Sequence, residues 1–355
     1  MALTKSFTSC WVVCAAESHV YKIGVLLPPE EPQALSVREG ILLAEAQVNK
    51  TGGTNARVII RGRTGQWGAD GVEAARMVTD DGVDGLIAPP DGAASHLTLQ
   101  VSGRTAVPVM CLCPDSSVGR TGVPWMLRVV PRTEDEAEAL FQGINASNSP
   151  GATRWTAIVP DARAGRELSQ DLSQAANRSG KRFQQILQLN TTNAALIQQR
   201  ALAGNPDVIL LCLPALAAGN TARNLRTAGY SGVLAGPGRL SSAEFIAAAG
   251  DAFEGFIIPA IARTDAGQTR WNSFRSSYEE LWHHPPDTTA AMSYDAASLL
   301  LYLLQQPPFQ APPHSLTPEF SWPGVTGDLT FDSNGNRKVK LDLLRGHRQS
   351  FIALN

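Results

Sequence analysis

The sequence predicts an α/β protein built as two lobes, each a parallel sheet with helices on both faces. Three observations carry this. At 355 residues the chain is long enough for two domains with separate cores. Short apolar runs alternate with segments of helical spacing across short loops, first over residues 21–113 and again over 155–262. Such alternation lays strands side by side in parallel, with the helices as crossovers. The composition, 43% hydrophobic and 17% charged, is that of a globular and not a disordered chain. A net charge of −2 leaves no basic field to hold nucleic acid or anionic lipid. No apolar run approaches the ~20 residues of a spanning helix.

Taken in order, Tyr21–Leu27 (YKIGVLL) reads as a buried strand, followed by a Pro-Pro-Glu-Glu-Pro loop. Ile41, Leu42, Ala44, Glu45 and Val48 recur at helical spacing in Leu35–Asn49, and Gly52-Gly53 stops that helix. Strand Ala56–Arg61, helix Ala69–Asp81, strand Gly85–Ala88, helix Ala93–Gly103 and strand Val107–Leu112 complete the first series. Trp125–Val130 is extended, and Thr133-Glu134-Asp135-Glu136 is a capping box that opens a helix. Its acidic residues, Glu138 included, read as a solvated face that complements the helix dipole. The second series has strands at Trp155–Val159, Phe183–Leu189, Val208–Leu213, Val233–Ala235 and Gly255–Ala262. Helices Arg163–Ser179, Ala194–Ala203, Ala217–Ala228 and Ser241–Ala249 lie between them, and Gln268–Trp282 and Thr288–Leu304 follow. Gln305–Pro323, with six prolines and His314, is a surface loop. At the end, Asp328–Phe331 and Lys338–Leu344 read as a hairpin turning at Asn334-Gly335, a pair suited to positive φ at both centres.

Enzyme constellations are missing. Gly236-Pro237-Gly238 lacks the third glycine of a dinucleotide fingerprint, and there is no phosphate-binding loop or nucleophile elbow. The six histidines show no metal-ligand spacing, and His283-His284 reads as a solvated helix end. Of five cysteines, Cys111, Cys113 and Cys212 sit on buried strands as small hydrophobes, and no metal or other cofactor is expected. Lys5 before the apolar run Phe7–Ala16, ending Cys14-Ala15-Ala16, makes residues 1–19 a leader with the marks of an export signal. Neither Cys10 nor Cys14 has a strong lipoprotein context, so a lipid anchor is only weakly supported.

Several collinear motifs carry a resemblance. The ending Gly324-Val-Thr-Gly-Asp-Leu-Thr-Phe-Asp-Ser-Asn-Gly-Asn336 is similar to the C-terminal signature of type I periplasmic binding proteins, and within them of the branched-chain-amino-acid-binding family. The first strand and helix resemble that family's at Gly40, Leu43, Ala44, Val48, Asn49, Gly52 and Gly53. So do Gly85–Pro90, Trp125–Thr133, Asn205–Ile209, Ala249–Gly255 and Ser293-Tyr294-Asp295-Ala296. Over residues 20–345 the resemblance implies two Rossmann-like lobes joined by a three-segment hinge. The first lobe is then 20–131 plus 263–326, and the second 132–262 plus 327–355. It also implies an extracytoplasmic, monomeric protein that closes over a small-molecule solute and hands it to an ABC-type permease. A sensor module signalling to a membrane partner, a member that has lost its ligand, and an enzyme on the same fold remain as alternatives.

In open α/β sheets ligands sit beyond the carboxyl ends of strands. The loops that qualify contain Gln33, Asp91–Ser95, Asp115-Ser116, Ala164, Ala215 and Gly238-Arg239. The family's amino-acid binders hold the α-carboxylate at the second and third of these loops and the ammonium with an acidic residue at the last. Here Asp91, Gly92, Ala93 and Ser95 stand in the second loop, and Asp115 and Ser116 in the third. Ala164 replaces the family's aromatic, and Arg239 falls near its acidic position. The charges are thus inverted, which disfavours a branched-chain amino acid in the usual pose. A neutral polar solute, or one whose anionic end meets Arg239, suits the inverted loops better.

Overall fold

The computed structural model describes residues 19–29, 31–51, 55–62, 68–147, 154–306 and 320–354, without the side chains of 145–147. The leader up to residue 18, the Gly52-Gly53 stop and most of the proline-rich loop, His314 included, lie outside the described residues.

The first lobe holds a five-stranded parallel sheet of β1 (Val20–Leu26), β2 (Asn55–Arg61), β3 (Gly85–Ala88), β4 (Val109–Cys111) and β5 (Met126–Arg128), in the order β2-β1-β3-β4-β5. Ile23 on β1 pairs with Val58 on β2 and Gly85 on β3. Helices α1 (Ala34–Thr51), α2 (Ala69–Thr79) and α3 (Gly92–Thr105) are the crossovers. Because both faces are covered, the strands are near-continuous apolar runs. One face packs Ile23, Val25 and Ile87 with α1, and the other packs Leu26 and Leu86 with Met77 of α2.

The second lobe begins at α4 (Thr133–Ser147) and continues as β6 (Trp155–Pro160), α5 (Arg163–Arg178), β7 (Phe183–Leu189), α6 (Ala194–Ala203) and β8 (Val208–Leu211). Then follow α7 (Ala215–Thr227), β9 (Val233–Ala235), α8 (Ala243–Ala249) and β10 (Ile257–Ile261). Strands β7-β6-β8-β9-β10 run parallel. Trp155, fully buried, meets Phe141 of α4 edge-on with ring centres 4.7 Å apart, a pairing that anchors this core.

The chain returns to the first lobe as α9 (Asp265–Trp282) and α10 (Thr288–Leu304). Apolar nearly all round, α10 fits its place between α1 and the first sheet, where Leu299 and Leu300 join the core. Its contact with α1 is close: a Cβ on Gly40 would stand 2.1 Å from the Ala290 carbonyl oxygen. Gly40→Ala should therefore force the helices apart and cost about 2 kcal/mol, read as a lower urea midpoint, despite alanine's better helix propensity.

The C-terminal hairpin consists of β11 (Trp322–Gly324), β12 (Gly327–Phe331) and β13 (Arg337–Lys338), all antiparallel. The turn differs from the expected one. Gly335 N–H donates to the Asp332 carbonyl at 3.0 Å, and Asp332 N–H to the Asn336 carbonyl at 2.8 Å. Ser333-Asn334-Gly335 is thus a three-residue loop in which Gly335 alone takes positive φ, 74°. Nor does the returning strand run on unbroken. After Lys338 the chain leaves for β14 (Leu341–His347), which pairs antiparallel with β10 and is followed by β15 (Ser350–Ala353). Leu329 and Phe331 pack in the first-lobe core, whereas Leu343 and Leu344 pack in the second. On this packing we assign the last crossing to residues 339–340 and not to 326–327.

The three crossings are laced together. Ala262 N–H donates to the Lys340 carbonyl at 2.9 Å, and Arg128 N–H to the Gly335 carbonyl at 2.8 Å. Arg337, 3% exposed, donates to the Val129 carbonyl (3.0 Å), Thr326 Oγ1 (2.9 Å) and the Gly327 carbonyl (3.1 Å). Gly327 itself needs φ of 107°, which no L side chain adopts cheaply. Asp295 of α10, fully buried, accepts from Val325 N–H, Thr326 N–H and Thr326 Oγ1 at 2.7, 2.9 and 2.5 Å. Two of the motifs that carried the resemblance therefore meet at the hinge.

Candidate functional site

A cavity of about 360 Å³ lies between the lobes, just beyond the carboxyl ends of β3, β4, β6 and β8. The first lobe supplies the Glu31-Pro32-Gln33 loop, the start of α3 at Asp91-Gly92, the turn Cys113-Pro114-Asp115, and Thr288, Thr289 and Met292 of α10. The second lobe supplies Thr133 and Glu136 of α4, one stripe of α5, the Cys212–Pro214 turn and Arg239.

Each polar wall has a local cause. Asp91 caps α3, its Oδ1 accepting from Ala94 N–H at 2.8 Å. Asp115 likewise caps the short 3₁₀ turn Ser116–Arg120 through Ser117 N–H at 2.8 Å. Fully buried Arg128 fixes that turn from behind, donating to the Pro114 and Asp115 carbonyls at 3.2 and 2.9 Å. Thr289 Oγ1 donates to Gln33 Oε1 at 2.9 Å. On α5, Ala164, Glu167, Leu168 and Asp171 follow one another at helical spacing and share the cavity face. Ala162, just before α5, holds φ 135° and ψ −167°, a strained conformation at the cavity's edge.

The lobes touch across the cleft. Ser116 N–H donates to Asp171 Oδ2 at 3.0 Å, and Ser241 and Thr288 share a hydroxyl hydrogen bond of 2.6 Å. Within the second lobe, Gly238 N–H donates to Glu136 Oε1 at 3.1 Å.

Among the described residues, six carboxyl groups and one guanidinium line this space: Glu31, Asp91, Asp115, Glu136, Glu167 and Asp171 against Arg239. Burial pushes Glu31 up to about 7, with the nearby Asp91 charge adding to the rise while Gln33 N–H and Arg239 oppose it. Glu136 is also raised to about 7 by burial, opposed by Arg239 and Gly238 N–H. Asp171 rises to about 6, again chiefly through desolvation, with Asp115 and Glu134 contributing. Burial pushes the Cys212 thiol up to about 12 and raises that of Cys113 as well, so both are neutral parts of the wall.

Of the residues expected from sequence, Gln33, Asp91, Gly92, Asp115, Ala164 and Arg239 face the cavity. The others are placed differently. Ser95 is fully buried and donates to the Pro89 carbonyl at 2.6 Å, which uses its hydroxyl inside the first lobe. Ala93 is in the first turn of α3, one residue past the glycine that lines the wall. Ser116 contributes its N–H to Asp171, and Ala215 only starts α7 behind Pro214. Gly238 is a close-approach position: a Cβ there would stand 2.7 Å from the Pro259 carbonyl oxygen. Glu136 corrects the reading of α4's first turn as solvated, because the helix turns that residue toward Gly238 and the cleft. Glu134 is buried too, pairing with Arg178 at 2.6 Å. Glu31, Glu167 and Asp171 were not expected. The spacing of the last two from Ala164 is the signal that could have found them.

A sequence profile of the periplasmic binding protein family matches residues 20–339. No curated protein matches the sequence significantly. Among solved structures, the chain is similar to a leucine-binding protein of Thermotoga maritima, with 19% identity, a TM-score of 0.80, and 94% of this chain and 97% of that one covered. It is also similar to a branched-chain amino-acid transporter substrate-binding protein of Streptococcus pneumoniae in complex with isoleucine (14%, TM-score 0.80, 94% and 98% covered). A solute-binding protein of an ABC transporter from Rhodopseudomonas palustris BisB5, in complex with 3,4-dihydroxybenzoic acid, matches equally well (15%, TM-score 0.79, 94% and 96%). At these identities the likeness is one of fold. With its profile match over most of the chain and two lobes around a shared cleft, the protein belongs to the periplasmic binding protein family, a family of binding proteins and not of enzymes.

Proposed function

We propose that the protein is an extracytoplasmic solute-binding protein that closes its two lobes over one small polar solute and delivers it to an ABC-type importer. The observation that supports this most is the interlobe cavity, walled from both sides by strand-end loops and crossed by direct hydrogen bonds between lobes. Its volume of about 360 Å³ suits a ligand of amino-acid size or somewhat larger. Several of the structurally similar proteins are solute-binding components of ABC transporters, which is the reason for naming an importer as the partner. Arg239 is the group that would meet an anionic end of the solute, and Thr289, Thr133 and Gln33 offer uncharged hydrogen bonds.

The test is a thermal and urea denaturation screen of residues 18–355 against small polar solutes, with the spent mixture analysed for chemical change. A true ligand at ~100 times its dissociation constant should add about 2.7 kcal/mol and be recovered intact. Recovery of a converted product, or stabilisation that persists when the cleft is blocked by a large residue at Ala164, would overturn the reading.

A further inference from the structure

Resting on that reading of the cleft, we propose that the solute is a small organic cation bearing N–H donors, such as an alkyl diamine or a guanidinium compound. The argument is one of charge and hydrogen-bonding type. Among the described residues six carboxyl groups face a cavity that one arginine lines, and Arg163, half exposed at the edge, is paired with Glu167 at 2.6 Å and also feels the charges of Asp115 and Asp91. Asp115 carries the inference furthest. Its Oδ1 is taken by Ser117 N–H, while its Oδ2 is sealed from solvent and, among the described residues, has no hydrogen-bond partner. That oxygen stands beside Gly92 in the cavity wall, so close that a Cβ there would come within 2.9 Å. Asp171, 2% exposed, accepts a hydrogen bond from Ser116 N–H across the cleft. Buried carboxylates need donors, and a partner carrying positive charge supplies both the donors and the counter-charge.

The cation's chemistry follows from what else lines the wall. Among the described residues no aromatic ring lines the cavity, and so none forms a cage of the kind that holds quaternary ammonium groups. Among the described residues no group of three carboxyl, histidine or cysteine side chains converges as a metal site would require. The carboxyls are instead distributed over both lobes, which suits charge spread along a chain or over a planar guanidinium. Arg239 leaves room for a carboxylate at one end, as in a basic amino acid. Leucine or an aromatic acid would bring its anionic group into a wall dominated by its own sign.

Isothermal titration of the full chain with putrescine, agmatine, arginine, leucine, benzoate and choline at pH 6.0 and 7.5 tests this. One or more of putrescine, agmatine and arginine should bind, choline should not, and affinity should rise with pH by up to about tenfold per unit for each proton displaced. The displaced protons should appear as a dependence of the heat on buffer ionisation. Asp115→Asn should weaken that binding by at least tenfold, while Glu279→Gln, an equal charge change on exposed α9, should leave it unaltered. Binding of leucine or benzoate with none of the three cations would overturn the cation assignment and leave the solute-binding reading standing. So would cation binding that weakens as pH rises. Silence from all six would also overturn it. The broader screen above then separates a wrong ligand class from a protein that binds no solute.

Discussion

Replacing Asp295 by alanine should lower the stability of the folded protein by about 3–5 kcal/mol, the cost of removing one partner from a buried charge pair. Asp295 is fully buried and surrounded by three donors, which suits its ionised form even though burial draws its carboxyl upward. Arg337 is the opposing charge, lowered to about 10 by burial and held up by Asp295. Thr326 Oγ1 connects them, donating to one and accepting from the other. Alanine would orphan two backbone N–H groups and remove the larger of the two carboxylate charges that face the guanidinium, leaving it half-exposed Asp328 alone. Asp295→Asn keeps an acceptor for part of this network and should cost about 1–2 kcal/mol less. Equilibrium unfolding in urea, followed by tryptophan fluorescence and by circular dichroism, reads both. A loss under 1 kcal/mol for the alanine variant would show that the carbonyl acceptors of Arg337 suffice without the carboxylate.

That node also illustrates what a sequence conveys and what it withholds. The strands that form the two parallel sheets were legible because helices cover both of their faces, so that Val208–Leu211 is apolar throughout and Trp155–Val159 is so at all but Thr156. β11 and β15 were not, since three or four residues that add antiparallel to a distant strand carry no pattern of their own. The hairpin motif was visible at 324–337, yet its pairing with Asp295, some thirty residues earlier, depends on how α10 docks. The same division holds for the cleft. Asp91, Asp115 and Arg239 follow directly on strands, and that topology alone places them at the carboxyl end of a sheet. Glu136 and Asp171 are helical, and whether such a face is solvated or buried is decided by what packs on it: the Gly238-Arg239 turn of the same lobe for Glu136, and Ser116 of the other lobe for Asp171. Ser95 shows the reverse error, a polar residue in the right loop whose hydroxyl is turned inward to Pro89.

Raising the pH from 5 to 8 should weaken the ligand-free protein and favour separation of its lobes. The cause is the set of cavity carboxyls whose protons are held by burial: Glu31 and Glu136 at about 7 and Asp171 at about 6, against ordinary values of 4.5 and 3.8. Below the ordinary values these groups are protonated whether the cleft is closed or solvated, and their stabilisation is fully present. Between about 4 and 7 the solvated form releases protons that the closed form keeps. Each further pH unit then costs up to about 1.4 kcal/mol per retained proton, and the loss is complete above about 7. The groups facing them set the balance. Arg239 supports ionisation of Glu31 and Glu136, while Asp91, Asp115, Glu134 and Asp135 oppose ionisation of one or another member of the set. The lowered carboxyls Asp81 and Glu254 act in the opposite sense but at more acid pH, outside this window. Urea midpoints and the radius of gyration from small-angle scattering, measured from pH 5 to 8, should fall and rise respectively. Glu136→Gln should flatten both profiles by one proton's share. Profiles flat or rising in stability across this interval would mean that the carboxyls are already ionised in the closed cleft. If the solute is a cation, saturating agmatine or putrescine should reverse the trend, because the charge that drives the lobes apart in its absence is the charge that would hold it.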